Sequence, residues 1–298
     1  MNQLLTRINT LLSCDLTISG YTSTPSDSTG DKPARVLNNK IKQYLLSQYT
    51  STGNAFLDLP CGSGNDIAKL TGIGISKYVG IDLDYNDFLL NVAKSRPAVT
   101  QMQDNCDFFK KDMCADNLLQ GLGIELNSFD VVSCQFALHY SFEKEKTANA
   151  FIKNVSSALK HGGKFIATFP SGEYLLDKWK NTKSNGCKLE SKYFCVTFPA
   201  KPPPETIGFG EKYHFQLGES VNDYEFFVDT TNLQTICRRN GLTLIDNVDF
   251  ESFCTENKLS GNPSMHELKA EIVNGYTQLD QPNRDVINIY KYMVFQKA

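Results

Sequence analysis

Apolar positions along the chain follow two rhythms that alternate. Near-continuous apolar runs occur at Ala55–Leu59, Tyr78–Asp82, Phe108–Lys110, Val131–Ala137 and Lys164–Phe169, each separated from the next by a segment of helix length. Runs such as VVSCQFA and KFIATF suit strands buried on both faces, so the alternation predicts a parallel sheet covered by helices. Val36, Leu37, Ile41, Tyr44 and Leu45 recur at helical spacing and predict an amphipathic helix from Val36 to Tyr49. A second helix, Thr147–Leu159, is expected to stop at His161-Gly162-Gly163. Residues 183–228 interrupt the rhythm with strand-like YFCVTF and YHFQL around Pro202-Pro203-Pro204, which marks an inserted lid. The βα rhythm returns with a helix at Thr231–Arg239 and a strand at Leu242–Val248. It continues through a poorly patterned stretch to Gln281 and ends in a strand at Ile287–Gln296. Residues 1–34 are Ser, Thr, Gly and Pro rich over their second half and read as a flexible arm ahead of a domain at 35–298.

Composition narrows the function classes. A formal net charge of −3 argues against a long non-specific nucleic-acid groove, because such binding depends on many Lys and Arg neutralising phosphates. Any RNA contact is expected to be short and local. The nine cysteines form no C-x-x-C pair and lie mostly in apolar runs, so they read as reduced, buried thiols. The four histidines lack ligand spacing with cysteine, and no metal is expected. No apolar stretch has the length of a membrane span and no secretory pattern opens the chain, so an intracellular protein without membrane attachment is expected.

One motif carries ligand chemistry. The run from Phe56 through Asp58, Pro60, Gly62 and Gly64 to Asp66 is an apolar strand leading into a glycine turn and a helix. In open α/β sheets, ligands bind where strands end, and glycines there allow close backbone approach. Asp82 ends the next strand, 20 residues after Gly62, where a carboxylate can accept from ribose hydroxyls. Asp112 follows the third strand and Gln135 ends the fourth. Polar residues at four successive strand ends point to a nucleoside cofactor. S-adenosyl-L-methionine (AdoMet) fits better than a dinucleotide, because the third glycine of the dinucleotide fingerprint is replaced by Ile67. Spacing alone leaves other assignments open: Tyr290 reads as core packing, His139 as a satisfied core histidine and Lys42 as surface. Glu225 in EFFVD is harder to dismiss, since a carboxylate in an apolar strand must be exposed or paired.

Several segments together resemble the mRNA cap guanine-N7 methyltransferases. They are RVLNNKIK at 35–42, the Asp58–Asp66 motif, QFALHYSF at 135–142, Tyr213-His214-Phe215, Glu225–Asp229 and Asn288-Ile289-Tyr290. The resemblance implies a Rossmann-like seven-stranded sheet, mostly parallel, with an antiparallel last strand. It implies that Lys42, Asp58, Pro60, Gly62, Asp82, Asp112, Gln135 and Tyr140 bind AdoMet, leaving S-adenosyl-L-homocysteine as product. It further implies that Asn39, Lys69, Lys94, His139, Tyr213, Glu225 and Tyr290 surround the guanine cap of a GpppN 5′ end. His139, Glu225 and Tyr290 would position the base for direct in-line attack without a general base. The implied partners are capped mRNA, other capping enzymes and a stimulatory subunit; the implied workplace is the nucleus for a cellular enzyme and the cytoplasm for one from a cytoplasmic virus. The chain departs from the family pattern at Pro60, where Gly is usual, at Ser63, where Lys is usual, and at Asn65, which interrupts a Gly-Gly-Asp run. Methylation of another acceptor, and a degenerate regulatory subunit, are the competing readings.

Overall fold

A computed structural model describes residues 30–298 apart from 84–90, 92, 103–104, 182–187, 200–201, 219–220 and 257–262. Its centre is a seven-stranded sheet of β1 (Ala55–Asp58), β2 (Lys77–Asp82), β3 (Cys106–Lys110), β4 (Phe129–Gln135), β5 (Leu159–Pro170), β10 (Leu242–Asp249) and β11 (Tyr290–Lys297), in the order β10-β11-β5-β4-β1-β2-β3. β11 runs antiparallel to both its neighbours, while β1 to β5 pair in parallel. The expected mostly parallel sheet with an antiparallel last strand is present.

Strand alternation divides the core. Phe56, Tyr78, Ile166 and Val294 pack on one face with helix α1 (Lys32–Tyr49); Leu57, Val79, Val132 and Phe165 pack on the other with helix α5 (Glu145–Ala158). Both faces are covered, which is why β1 is buried at all four positions and reads as an unbroken apolar run. The strand order reverses between β1 and β4, and the loops leaving these two strands flank the crevice where such sheets take ligands. Between the strands lie short helices α2 (Ile67–Thr71), α3 (Pro97–Met102) and α4 (Leu118–Gly121).

The inserted segment is a second sheet. Helix α6 (Gly172–Asn181) leads into antiparallel strands β6 (Lys188–Glu190), β7 (Phe194–Thr197), β8 (Lys212–Leu217) and β9 (Val221–Phe226). It rejoins the main body through a bridge between Ser171 and Val228, ahead of helix α7 (Thr230–Arg239). At that junction Gly172 lies so close to Val228 that a Cβ would come within 2.3 Å of its carbonyl oxygen. Gly172→Ala is therefore expected to lower stability by about 3 kcal/mol, because backbone must move to admit one methyl. Urea denaturation measures this, and an unchanged midpoint would show that the junction yields freely.

Three expectations need correction. The first helix begins before Val36: α1 starts at Lys32, Asp31 ahead of it is buried, and Asn283 accepts from Ala34 N and donates to Gly30 O. Pro33 sits in the first turn of α1, where its missing N–H costs nothing, so it belongs to the helix and not to the arm. Residues 1–29 of the proposed arm lie outside the described residues. Second, the stretch before Gln281 that showed no clear pattern contains helices α8 (Phe250–Thr255) and α9 (Pro263–Gln278). Third, the last strand begins at Tyr290, because helix α10 (Gln281–Asn288), with Asp280 as its N-cap acceptor, occupies the residues before it. Among the described residues, no helix is long and apolar enough to cross a membrane, and no group of three or more His, Cys, Asp or Glu could hold a metal ion.

Candidate active site

The loop between β1 and α2 is shaped by its glycines. Gly62 and Gly64 have φ of +52° and +73°, a left-handed backbone that residues with a Cβ rarely adopt. Gly62 N donates to Asp82 Oδ2 at 2.8 Å, which ties the loop to the end of β2. The Leu59–Pro60 peptide bond before the loop is cis, and Pro60 is half-buried.

Two carboxylates below this loop behave oppositely. Asp58, 1% exposed, accepts from Tyr78 Oη at 2.8 Å through Oδ2, while Oδ1 is buried with no hydrogen-bond partner among the described residues. Burial and the negative charge of Asp66 push its carboxyl up to about 8, against the pull of Tyr78, Lys42 and Lys69. Burial also acts to raise Asp66, but the ammonium groups of Lys42, at 2.8 and 3.0 Å, and Lys69, at 2.7 Å, outweigh it and hold that carboxyl well below the usual range. Lys42 also lies 5.7 Å from the centre of the Phe136 ring, so it spans the space between the glycine loop and the aromatic cluster beyond.

The third and fourth strand ends are held by local hydrogen bonds. Asp112 is exposed and its Oδ1 accepts from the backbone N–H of Cys114 at 2.8 Å, a local turn. Gln135 is buried with its amide divided between Ser133 Oγ and Thr168 Oγ1, both at 3.0 Å. The next residue, Phe136, adopts φ +57° although it is not glycine. Its N–H donates to Thr168, and its ring meets Tyr290 at 4.8 Å and Phe250 at 6.1 Å; these contacts hold a backbone state that costs about 1 kcal/mol.

Beyond Phe136, four elements meet. His139 and Tyr140 come from a 3-10 turn at Leu138–Glu143, Tyr213 from β8, Glu225 from β9 and Tyr290 from the start of β11. Tyr213 and Glu225 are cross-strand partners, and the tyrosine hydroxyl donates to Glu225 Oε2 at 2.7 Å. Glu225 Oε1 lies 3.5 Å from His139 Nε2. This contact is not an ion pair: burial takes the imidazole down to about 3, so it is neutral, and neither ring nitrogen has a hydrogen-bond partner among the described residues. Burial likewise pushes Glu225 up to about 7, with Asp223 adding to the rise and the Tyr213 hydrogen bond opposing it. Tyr140, 40% exposed, rests against His139 with ring centres 4.2 Å apart.

The raised Glu225 carboxyl has a stability consequence. In the folded protein it holds a proton that the unfolded chain releases near the ordinary value, so stability falls as pH rises from about 4.5 to about 7 and is level above. Glu225→Gln removes that slope and is expected to stabilise the ligand-free protein at pH 8 by about 3 kcal/mol, as a higher melting temperature. Equal melting temperatures of the two proteins at pH 8 would show that the carboxylate is solvated.

Of the residues singled out from sequence, Lys42, Asp58, Gly62 and Asp82 gather at the loop, and His139, Tyr140, Tyr213, Glu225 and Tyr290 gather beside Phe136. Lys69 is committed to Asp66 and only 11% exposed, Lys94 is exposed, and Asn39 is half-buried on α1. Its neighbour Asn38 is the buried one, with Oδ1 unpaired among the described residues. Sequence reasoning also missed the left-handed Phe136 and the ion cluster centred on Asp66. Buried polar atoms are nearly always satisfied, so the orphans Asp58 Oδ1, Asn38 Oδ1 and both His139 nitrogens mark where a polar ligand would complete the site.

The profile of the mRNA (guanine-N(7))-methyltransferase domain matches residues 33–298. The chain belongs to this family. It is 28% identical over 268 residues to the mRNA cap guanine-N(7) methyltransferase of Schizosaccharomyces pombe, covering 87% of this chain and 74% of that one. It is 32% identical over 236 residues to the Candida glabrata protein of that name, covering 74% of this chain and 55% of that one. The chain thus spans little more than half the length of some curated relatives. Two solved structures show the fold alone: an S-adenosylmethionine-dependent methyltransferase from Clostridium acetobutylicum (TM-score 0.53, 14% identity, 100% of this chain and 98% of that one) and the CcbJ methyltransferase from Streptomyces caelestis (TM-score 0.54, 11% identity, 92% and 100%). The guanine-N7 methyltransferase family uses AdoMet as methyl donor. AdoMet fits the loop, because Asp58 Oδ1 can accept from an amino group, Asp82 stands at a strand end, and the two glycines present no side chain.

Proposed function

We propose that this chain transfers a methyl group from AdoMet to N7 of the guanine in a GpppN RNA 5′ end, inside the cell, in concert with other capping activities. The observation that carries this reading is the buried Glu225, fixed by Tyr213 and set against a neutral His139, in a cluster that Phe136 and Lys42 connect to Asp66 and the glycine loop.

Bound AdoMet supplies an electrophilic methyl on a sulfonium sulfur. Asp58 would accept from its amino group and Asp82 from its ribose hydroxyls, with the backbone of Gly62 and Gly64 close against it. Guanine N7 has an in-plane lone pair and no proton, so no general base is needed. What the residues contribute is alignment, and holding reactants in line can remove ~7–11 kcal/mol of barrier in favourable cases. Tyr290 and Phe136 supply apolar walls that fix the plane of the base. Neutral His139 adds a polar edge without a repelling charge. Glu225 accepts from the N1–H and N2–H edge, which becomes more acidic as N7 gains the methyl, so this contact strengthens in the transition state.

Glu225 must be ionised to accept. kcat/KM for the cap is therefore expected to fall about ten-fold per pH unit below about 7 and to level off above, while neutral His139 adds no limb between pH 4 and 9. A pH-rate profile flat from 5.5 to 8 would contradict this. The reading itself is tested by transfer from methyl-labelled AdoMet to GpppA and to GTP, with 7-methylguanine identified after digestion. Transfer to a different base or atom would replace it.

A further inference from the structure

Arg96 takes no part in the groups described above, yet it lies beneath the cofactor loop with 5% exposure. Its Nε donates to Ser63 O at 2.6 Å, one Nη donates to Ser63 Oγ at 3.0 Å, and the same Nη donates to Asn65 Oδ1. Ser63 is itself fully buried, so its carbonyl and hydroxyl depend on this guanidinium for satisfaction. Arg96 is anchored from its own side as well. Its carbonyl accepts from Val99 and Thr100 at the head of α3, and its N–H reaches Ala93 O. Ala93 Cβ in turn lies 3.6 Å from where a Cβ on Gly64 would stand.

We propose that Arg96 is a positioning residue that locks the Gly62–Asn65 loop from beneath and ties it to the segment carrying Lys94, so that affinity for AdoMet is set from outside the binding surface. The physical reason lies in the loop's composition. Gly62 and Gly64 give the backbone its approach to a ligand, but glycine also gives the free chain the most conformations to lose. A loop with two glycines in four residues, Gly62-Ser63-Gly64-Asn65, needs external restraint to be ready for its ligand. The two residues that do carry side chains, Ser63 and Asn65, are both held by the guanidinium. A planar fork can serve a carbonyl, a hydroxyl and an amide oxygen together, and an ammonium cannot match that geometry. This inference rests on placing AdoMet at the loop.

Calorimetric titration of the full chain with AdoMet and with S-adenosyl-L-homocysteine tests it, beside steady-state kinetics. Arg96→Ala is expected to raise the Kd for both compounds roughly ten-fold or more, with kcat at saturating AdoMet within about three-fold of wild type. Arg96→Lys should recover part of the loss. Ser63→Ala should move Kd the same way by a smaller factor, and should add nothing in the Arg96→Ala background. A folded Arg96→Ala protein with wild-type Kd, or one that loses kcat at unchanged Kd, would overturn the proposal. Where Arg96→Ala does not fold, a wild-type Kd in Ser63→Ala overturns it instead. Wild-type protein that binds neither compound would overturn the assignment of the loop together with this role.

Discussion

Glu225→Ala is expected to reduce methyl transfer to the cap by about a hundred-fold while AdoMet affinity stays within about two-fold of wild type. The size follows from the bonds removed: hydrogen bonds to an ionised group contribute about 1.5–3 kcal/mol, and this carboxylate is placed to accept from two N–H groups in a site shielded from water. The selectivity follows from position. Glu225 sits on β9 of the lid and bonds to Tyr213, whereas the cofactor loop leaves β1 of the main sheet. Glu225→Gln keeps the shape but presents a neutral amide, so it is expected to fall nearly as far in rate despite its greater stability. Radiolabel transfer and calorimetry separate the two effects, and wild-type turnover in Glu225→Ala would remove this residue from the site.

Asp66→Ala is expected to cost about 3 kcal/mol of stability, a fall of roughly 5–10 °C in melting temperature, together with most of the AdoMet affinity. One carboxylate holds two ammonium groups here, with side chains 13% and 11% exposed, and nothing in the change to alanine removes those charges. Breaking a nearly buried ion cluster from one side is costly for that reason. Function suffers because Asp66 joins α1, through Lys42, to the loop and α2, through Lys69. Asp66→Asn, which keeps acceptor geometry and loses charge, should lie between. Thermal melts and AdoMet titration read the two consequences, and a variant as stable as wild type would show that the lysines find water instead.

What the sequence made legible depended on whether local patterning carried the information. Strands β1, β2, β4 and β5 stood out because burial on both faces leaves a run with few polar interruptions. Helix α9 did not, although Met265, Ile272 and Tyr276 fall on one face. Lys269 occupies a core position at 2% exposure on that same stripe, its ammonium bonded to Phe253 O, and Gly275 weakens the helical signal further. The start of α1 was misplaced because Pro33 ends a turn-rich segment and opens a helix at once. At the site, Glu225 was legible as a carboxylate in an apolar strand, and Asp82 by its distance from the glycine turn. Phe136 looked like one more aromatic, since its left-handed backbone comes from Thr168 on β5, 32 residues away. Arg96 gave no signal, because its meaning lies in acceptors 33 residues earlier. Asn38 and Asn39 differ only in the direction a helix turns them, so the burial of Asn38 was not legible beside the half-exposed Asn39.

The most direct test of the account is transfer to a pair of caps differing at one atom. With methyl-labelled AdoMet, GpppA is expected to gain one methyl at N7, while its 7-deazaguanine counterpart, which has C–H in place of that nitrogen, is expected to gain none and still compete for the site. Equal labelling of the two caps would contradict the account, because the accepting atom would then lie elsewhere.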